Sequence, residues 1–496
     1  MRAPGMSPLW WRPAIAVFGI VTFALIILIK IDLMSSGGIS PLLTCYAAVV
    51  VLYLGTRAVN AFRYRPVPAL TSDDVPTVAV VVPCYNEGSV VADTVRSILA
   101  LNYPADRLSV VVVDDGSSDN SWSFVREVAT DHRVRALRFE HNAGKRAAMA
   151  AGIRAADDAA IIAFVDSDTM LDADALRAAV APFVEPGNED VAAVTGHAEV
   201  SNASSTWLAR LQQVRYFAAF RMIKAAESVQ RRVICASGCF SVYRRDLIME
   251  ILPRWEAQTF LGVAANYGDD RALTTDLLGG GYAILYQRNA VSYTAVPETW
   301  PTFWKQQLRW KKSWTRESLR LAPIAARWSP LVSYPVFSGL ILQIFGPMVL
   351  LYSILYRPFV HGNDPWLYLA GINAMAVLYG LMYAWGKRSA AWWPGAVYAI
   401  LYTCIMSFQT YLAWFRLRDT AWGTRGTSDA LREPQIAERL QGTVHASALV
   451  HAPRTLDVAV QPSWSRSLDP WADRYATGAL AMAVLSLPLI VILYAL

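Results

Sequence analysis

Residues 77–87 read TVAVVVPCYNE, and residues 107–119 read RLSVVVVDDGSSD. Each is a run of small and β-branched apolar residues that stops abruptly at polar turn residues. Such runs, with no alternation of polar and apolar positions, suit strands buried on both faces of a parallel sheet. VRALRF (134–139), AIIAFVDSD (160–168), VAAVTG (191–196) and YAILY (282–286) are further strand candidates. Between them lie helical stretches such as SVVADTVRSILAL (89–101) and GKRAAMAAGIRAA (144–156). Alternating strands and helices predict an α/β layered domain with a mostly parallel sheet. Ligands of such sheets bind beyond the carboxyl ends of the strands. The polar residues at those ends are Tyr85, Asn86 and Glu87, then Asp114 and Asp115, then Asp166 and Asp168.

The segments on either side are of a different kind. The chain has 496 residues, 54% hydrophobic and only 17% charged, and the apolar excess gathers towards both ends. Runs at 13–31 and 41–59 each approach the ~20 residues that a helix needs to cross a bilayer. Their succession predicts a hairpin rather than a signal peptide. Arg2 and Arg12 precede the pair, Arg57, Arg63 and Arg65 follow it, and the turn between carries little charge. Positive-inside logic places the large middle domain in the cytoplasm of a multi-pass plasma-membrane protein. Further apolar runs lie at 331–356, 366–385, 391–415 and 476–496. The expected organisation is a membrane hairpin (1–65), a cytosolic domain (66–325), transmembrane or re-entrant helices (326–425), a polar loop (426–475) and a last membrane helix (476–496). Pro335, Gly339, Gly346 and Pro347 make 331–356 the expected broken span. The net charge of +6 is small for a nucleic-acid binder and suits a protein facing anionic lipid and phosphate ligands. The five cysteines lack a second Cys or His cluster to complete a zinc site and read as reduced and structural.

Four stretches carry candidate chemistry. In DSD (166–168), two carboxylates one residue apart follow a buried strand. They suit a hard cation, Mg²⁺ or Mn²⁺, held together with substrate phosphates, or they are helix-capping acids. HNAGKRAAM (141–149) puts Lys145 and Arg146 at a helix start, which suits a phosphate or makes a solvated basic turn. YGDDRALTT (267–275) sets Asp269 and Asp270 against Arg271. One of the two acids is a general-base candidate, or the group is a cap with a local salt bridge. KQQLRWKKSW (305–314) mixes three Lys, one Arg and two Trp ahead of an apolar run. Nucleic acid, a lipid surface, or a phosphorylated sugar would each suit that mixture.

In order along the chain, VVPCYNE, VVVDDGSSD, NAGKR, VDSDT, SGCFSVYRR, TFLGVAANYGDDRALTT and QQLRW together resemble the processive, inverting glycosyltransferases of the GT-A fold. Among these the chain most resembles hyaluronan synthases, over roughly residues 70–325 and again at AWGTRG (421–426). The resemblance implies a GT-A domain joined to an α-helical transmembrane domain. It implies that Tyr85 and Glu87 contact uridine and ribose, with Asp114 or Asp115 helping at the base and Lys145 near the nucleotide. Asp168, with Asp166, would bind the metal and the diphosphate. Asp270 would be the base, in the acidic group Asp269, Asp270 and Arg271. Gln306, Arg309 and Trp310 would form a Q-x-x-R-W motif, with Arg309 on the pyrophosphate and Trp310 as a platform for the acceptor sugar. Trp422 and Arg425 would close over bound UDP. The other lysines of 305–314 would face the lipid.

Cys239-Phe240 stands where hyaluronan synthases tend to have Pro-Leu. GCFSVYRR leans towards chitin synthases, and VPETW with QQLRW resembles rhizobial chitooligosaccharide synthases. The expected substrates are UDP-GlcA with UDP-GlcNAc, extended into a nascent polysaccharide; UDP-GlcNAc alone is the alternative, and a non-catalytic scaffold a remote one.

Overall fold

The computed structural model describes residues 41–362, 365–387 and 393–419. The apolar runs 13–31 and 476–496, the polar stretch 426–475, and Trp422 and Arg425 lie outside the described residues.

The middle of the chain folds around an eight-stranded mixed sheet. Its strands are β1 (Val78–Cys84), β2 (Leu108–Asp114), β3 (Val134–Arg138), β4 (Ile161–Val165), β5 (Thr169–Leu171), β6 (Val191–Val200), β7 (Phe240–Arg244) and β10 (Ala283–Thr294). Their order is β3-β2-β1-β4-β7-β6-β10-β5. A separate two-stranded hairpin is made by β8 (Thr259–Phe260) and β9 (Val263–Ala264). The half that holds β3, β2, β1 and β4 is parallel, as is β6 on β10; β7 runs antiparallel between β4 and β6. The register pairs Val78 with Leu108 and Cys84 with Asp114. The two polar loops that follow β1 and β2 therefore emerge side by side.

The helices that position the site are α1 (Pro41–Arg63), α2 (Lys145–Arg154), α3 (Trp207–Phe217), α4 (Asp269–Gly279), α5 (Trp300–Ala325), α6 (Pro330–Leu351), α7 (Trp366–Lys387), α8 (Trp393–Cys404) and α9 (Gln409–Phe415). Small residues let α2 lie close on the sheet: a Cβ at Gly152 would come 2.3 Å from Val81 Cγ1. The core lies on both faces of the sheet, with Val81, Ile153 and Trp255 on one and Val80, Val112 and Phe240 on the other.

Among the described residues two helices are long and apolar enough to cross a membrane, Leu43–Arg63 and Pro330–Val360. A third span is possible if the pair Trp393–Cys404 and Met406–Phe415, bent by 42°, counts as one. This corrects the expectation that 331–356 is the broken segment. Its glycines serve packing: Gly346 and Gly339 face Tyr46 and Tyr53 of α1, and a Cβ at Gly346 would lie 3.1 Å from the Tyr46 hydroxyl. Small residues at such contacts let helices approach closely. The sharp bend falls instead at Ile405, between α8 and the 3₁₀ turn Met406–Phe408.

Candidate active site

A cavity of about 900 Å³ opens at the carboxyl ends of β1, β2 and β4. Its wall includes Tyr85, Glu87, Asp115, Lys145, Asp166, Asp168, Asp269, Asp270, Arg271, Gln306, Arg309 and Trp310. The sequence scatters these residues over more than two hundred positions, and the fold gathers them. Asn86 and Arg146 do not line the cavity, and nor does Asp114. The Asp114 side chain is fully buried, ion-paired with Arg138 at 3.1 Å and accepting from the Ser117 N–H at 3.1 Å.

The loop after β1 is tied to the loop after β2. The Asn86 N–H donates to Ser117 Oγ at 3.0 Å, and the Glu87 and Gly88 N–H groups donate to Ser121 Oγ, each at 2.8 Å. Asn86 adopts φ 54°, a left-handed conformation that Asn tolerates better than most residues. This turn presents Tyr85 and Glu87 to the cavity, where Ser167 Oγ donates to Glu87 Oε1 at 3.0 Å. Asp115 receives the Ala143 N–H at 2.7 Å and the Gly144 N–H at 3.0 Å. Burial outweighs these bonds and pushes its carboxyl up to about 7.

The cations at the start of α2 part company. Lys145 forms an ion pair with Asp166 on the cavity wall. Arg146 turns inward, where its Nε donates to Asp269 Oδ1 at 2.7 Å and its Nη1 to the Trp255 carbonyl and Gln258 Oε1, each at 2.9 Å. The expected phosphate role thus has only Lys145 to support it, because Arg146 is consumed by the fold. The Asp pair is not packed against the Arg271 guanidinium either. Asp270 Oδ1 takes the Arg271 backbone N–H at 2.8 Å, while the Arg271 side chain donates to Ser318 Oγ at 3.0 Å.

Asp270 Oδ2 accepts the Gly238 N–H at 3.2 Å, with the Cys235 thiol at 3.7 Å. Gly238 also abuts the other carboxylate: a Cβ there would lie 3.6 Å from both Asp166 oxygens and from Lys145 Nζ. One glycine therefore separates Asp166 from Asp270. All five cysteines are free thiols. Cys235 and Cys239 line the cavity, and burial pushes the Cys235 thiol up to about 12, so it stays neutral.

Helix α5 brings Gln306, Arg309 and Trp310 to the same cavity. Lys305 is exposed, but Lys311 and Lys312 are buried, against the expectation that these lysines face lipid. Lys311 donates to Thr410 Oγ1 at 3.0 Å and Lys312 to the Asp419 carbonyl at 2.9 Å. Docking of α9 on α5 covers them, a tertiary event that a short basic stretch cannot reveal. Sequence reasoning also missed Tyr53, Arg57, Arg215, Tyr216, Lys224, Pro335, Gly339 and Gln343, all on the cavity wall. Each sits on a helix, and nothing in a helical repeat separates a cavity-facing position from a core one.

Two carboxylates, Asp166 and Asp168, stand where a divalent cation is expected. Among the described residues no cluster of three His, Cys, Asp or Glu side chains is placed to hold a metal. The donor set fits an ion held jointly with a substrate's phosphates rather than one caged by protein.

Residues 76–313 match the family model described as glycosyltransferase like family 2. An N-acetylglucosaminyltransferase of Rhizobium sp. (strain N33) is 30% identical over 393 residues, covering 77% of this chain and 86% of that protein. A hyaluronan synthase of Streptococcus pyogenes is 32% identical over 395 residues, covering 77% of this chain and 90% of its own. Among solved structures, a mannosyltransferase from Pyrobaculum calidifontis in complex with GDP-Man and Mn²⁺ aligns with a TM-score of 0.49 and 20% identity, over 72% of this chain and 97% of its own. With relatives matched over nearly their whole length and acids gathered at the strand ends of an α/β GT-A sheet, the chain belongs to glycosyltransferase family 2.

Proposed function

We propose that this protein is a membrane-embedded, processive polysaccharide synthase. It joins UDP-GlcA and UDP-GlcNAc by inverting transfer on the cytoplasmic side of the plasma membrane and extrudes hyaluronan. The observation that carries this reading is the shared cavity. Asp166 and Asp168, Asp270, and Arg309 with Trp310 line one space, which continues past Tyr53 and Arg57 of α1 to Pro335, Gly339 and Gln343 of α6. A route from the transfer site into apolar helices is what chain extrusion needs.

In this account Tyr85, Glu87 and Asp115 hold the nucleoside, and Lys145 and Arg309 hold the diphosphate. Asp270 takes the proton of the acceptor hydroxyl. The hydroxyl oxygen forms its bond to the anomeric carbon on the face opposite UDP. The bond to the diphosphate oxygen breaks with its electron pair, and the configuration inverts. Asp166 and Asp168 would hold Mg²⁺ or Mn²⁺, which when bound neutralises charge on the departing diphosphate. Fixed positive groups aimed at developing charge are commonly the largest catalytic contribution, and removing one costs about 10²–10³ in rate.

The bend at Ile405 makes 393–415 the segment that turns back. Leu417 and Asp419 support this, since the Tyr267 hydroxyl donates to the Leu417 carbonyl at 3.3 Å and Lys312 holds Asp419. The chain thus stands beside the transferase domain three residues before Trp422, consistent with a role for Trp422 and Arg425 over bound UDP.

A second reading is polymerisation of UDP-GlcNAc alone. The rhizobial N-acetylglucosaminyltransferases, similar over as much of the chain as the hyaluronan synthases, favour it. Purified protein given UDP-GlcNAc, UDP-GlcA or both, with Mg²⁺ or Mn²⁺, decides between them. Polymer only with both donors is the expected result; polymer from UDP-GlcNAc alone supports the second reading, and no turnover with any pairing contradicts both.

A further inference from the structure

Beside Trp310 the cavity carries two cations that the transfer chemistry does not use. Arg215, on α3, places its guanidinium carbon 4.7 Å from the centre of a Trp310 ring. Lys311 follows Trp310 on α5, and its ammonium lies 5.1 Å from the centre of the Tyr402 ring. Lys311 is only 6% exposed, and both residues line the cavity.

Among the described residues neither cation is paired with a carboxylate. The charges and dipoles that act most on Arg215 are those of Tyr398, Tyr402 and Tyr216; on Lys311 they are those of Tyr402 and of Arg215 itself. Burial, with Arg215 beside it, draws the Lys311 ammonium below the ordinary lysine range. Lys145 and Arg57 on this wall have acids, Asp166 and, at 3.1 Å, Glu227, while Lys224 donates to the Cys235 carbonyl and Arg271 to Ser318 Oγ. Two like charges held together out of water without an acid are costly unless an anion joins them.

We propose that Arg215 and Lys311 form a subsite for an anionic group on the acceptor, the carboxylate of a uronic acid residue in the sugar chain. The subsite rests on the synthase reading above and gives the uronic acid of its acceptor a place on the cavity wall. The pair flanks the candidate acceptor platform and abuts Tyr398, Tyr402 and Thr410 of the bent helix pair, whereas Lys145, Asp166 and Asp168 mark the donor end. The planar guanidinium of Arg215 matches a carboxylate, and the Lys311 ammonium adds a point charge. A neutral chain of N-acetylglucosamine offers these groups hydroxyl and amide oxygens but no charge.

The test is binding of two oligosaccharides to the full-length protein in neutral detergent, without donor, by titration calorimetry. One is a tetrasaccharide alternating glucuronate and N-acetylglucosamine; the other is neutral chitotetraose. The charged tetrasaccharide is expected to bind about tenfold or more tightly, as charge-assisted hydrogen bonds allow. Lys311→Met is expected to cut that preference about tenfold, and Lys311→Arg to restore most of it. Thr410→Val, which removes the hydrogen bond from Lys311 to α9 and leaves the ammonium in place, is expected to retain the preference, as is Lys305→Met on the exposed side of α5. Equal affinity for the two oligosaccharides, or no binding of the charged one, overturns the subsite. So does a loss in Thr410→Val equal to that in Lys311→Met, which would give Lys311 a structural role. Competition by phosphatidylglycerol against the charged tetrasaccharide assigns the pair to lipid headgroups and also overturns it. Polymer formation from both donors without oligosaccharide preference removes the subsite and leaves the synthase reading intact. Preference without polymer does the reverse.

Discussion

Arg146 holds Asp269 by a 2.7 Å bond between Nε and Oδ1, at a point where both side chains are buried. Both acids reach the cavity wall, but among the described residues the neighbouring Asp270 has no such ion pair. Two consecutive acids thus have separate partners: Asp269 anchors the start of α4 to α2, and Asp270, the proposed base, accepts the Gly238 N–H. Asp269→Asn leaves the Arg146 charge buried without its partner, which is expected to cost about 3–5 kcal/mol. Thermal unfolding of the purified protein checks this, with Asp270→Asn expected to unfold near the wild-type temperature.

Gly268 sets the entry to α4 at φ 76°, and a Cβ there would lie 1.8 Å from Ser313 Oγ on α5. Gly268→Ala is expected to destabilise by about 1–3 kcal/mol through overlap and left-handed strain. Adding Ser313→Gly relieves the overlap but not the backbone, so only partial recovery of the unfolding temperature is expected.

Asp115 carries a carboxyl raised to about 7 by burial, against two backbone N–H donors. A folded state with a raised acid holds a proton that the unfolded chain has released, so stability falls as pH rises from about 4 to about 7 and then levels. Asp115→Asn is expected to flatten that slope in unfolding measured across pH. If the ionised carboxylate accepts a base N–H, the donor KM falls as pH rises through about 7, and this inflection disappears in the same variant.

Trp310 has the Arg215 guanidinium against a ring, and Tyr216 tilted beside it with ring centres 6.5 Å apart. Trp310→Ala removes the proposed acceptor platform and is expected to raise the acceptor KM roughly tenfold. Donor affinity, measured by UDP titration, is expected to hold. An acceptor KM that does not move contradicts the platform role.

The strand ends were legible in the sequence because β1, β2 and β4 are unbroken apolar runs, and an acid directly after such a run must sit at the sheet's edge. β7 was not, because FSVYR carries Ser241 and Arg244 and sits antiparallel between two parallel sets. A polar, mixed segment becomes a central strand only through its neighbours. β10 reaches Thr294, beyond the apolar stretch that marks its start, and is irregular between Tyr286 and Val291. The placement of Lys311 and Lys312 depended on where α9 docks, and the reading of 331–356 as broken weighed prolines and glycines without the helix that packs on them. Arg215 and Tyr216 lie in a helix with no period to distinguish a cavity face.

The proposed mechanism turns on Asp270 as the base beside a bound nucleotide. The most direct measurement is Asp270→Asn in the full-length protein, with UDP affinity by calorimetry and transfer by UDP release from both donors. Unchanged UDP affinity is expected, with transfer lowered by about 10²–10⁴. Transfer close to the wild-type rate would contradict it.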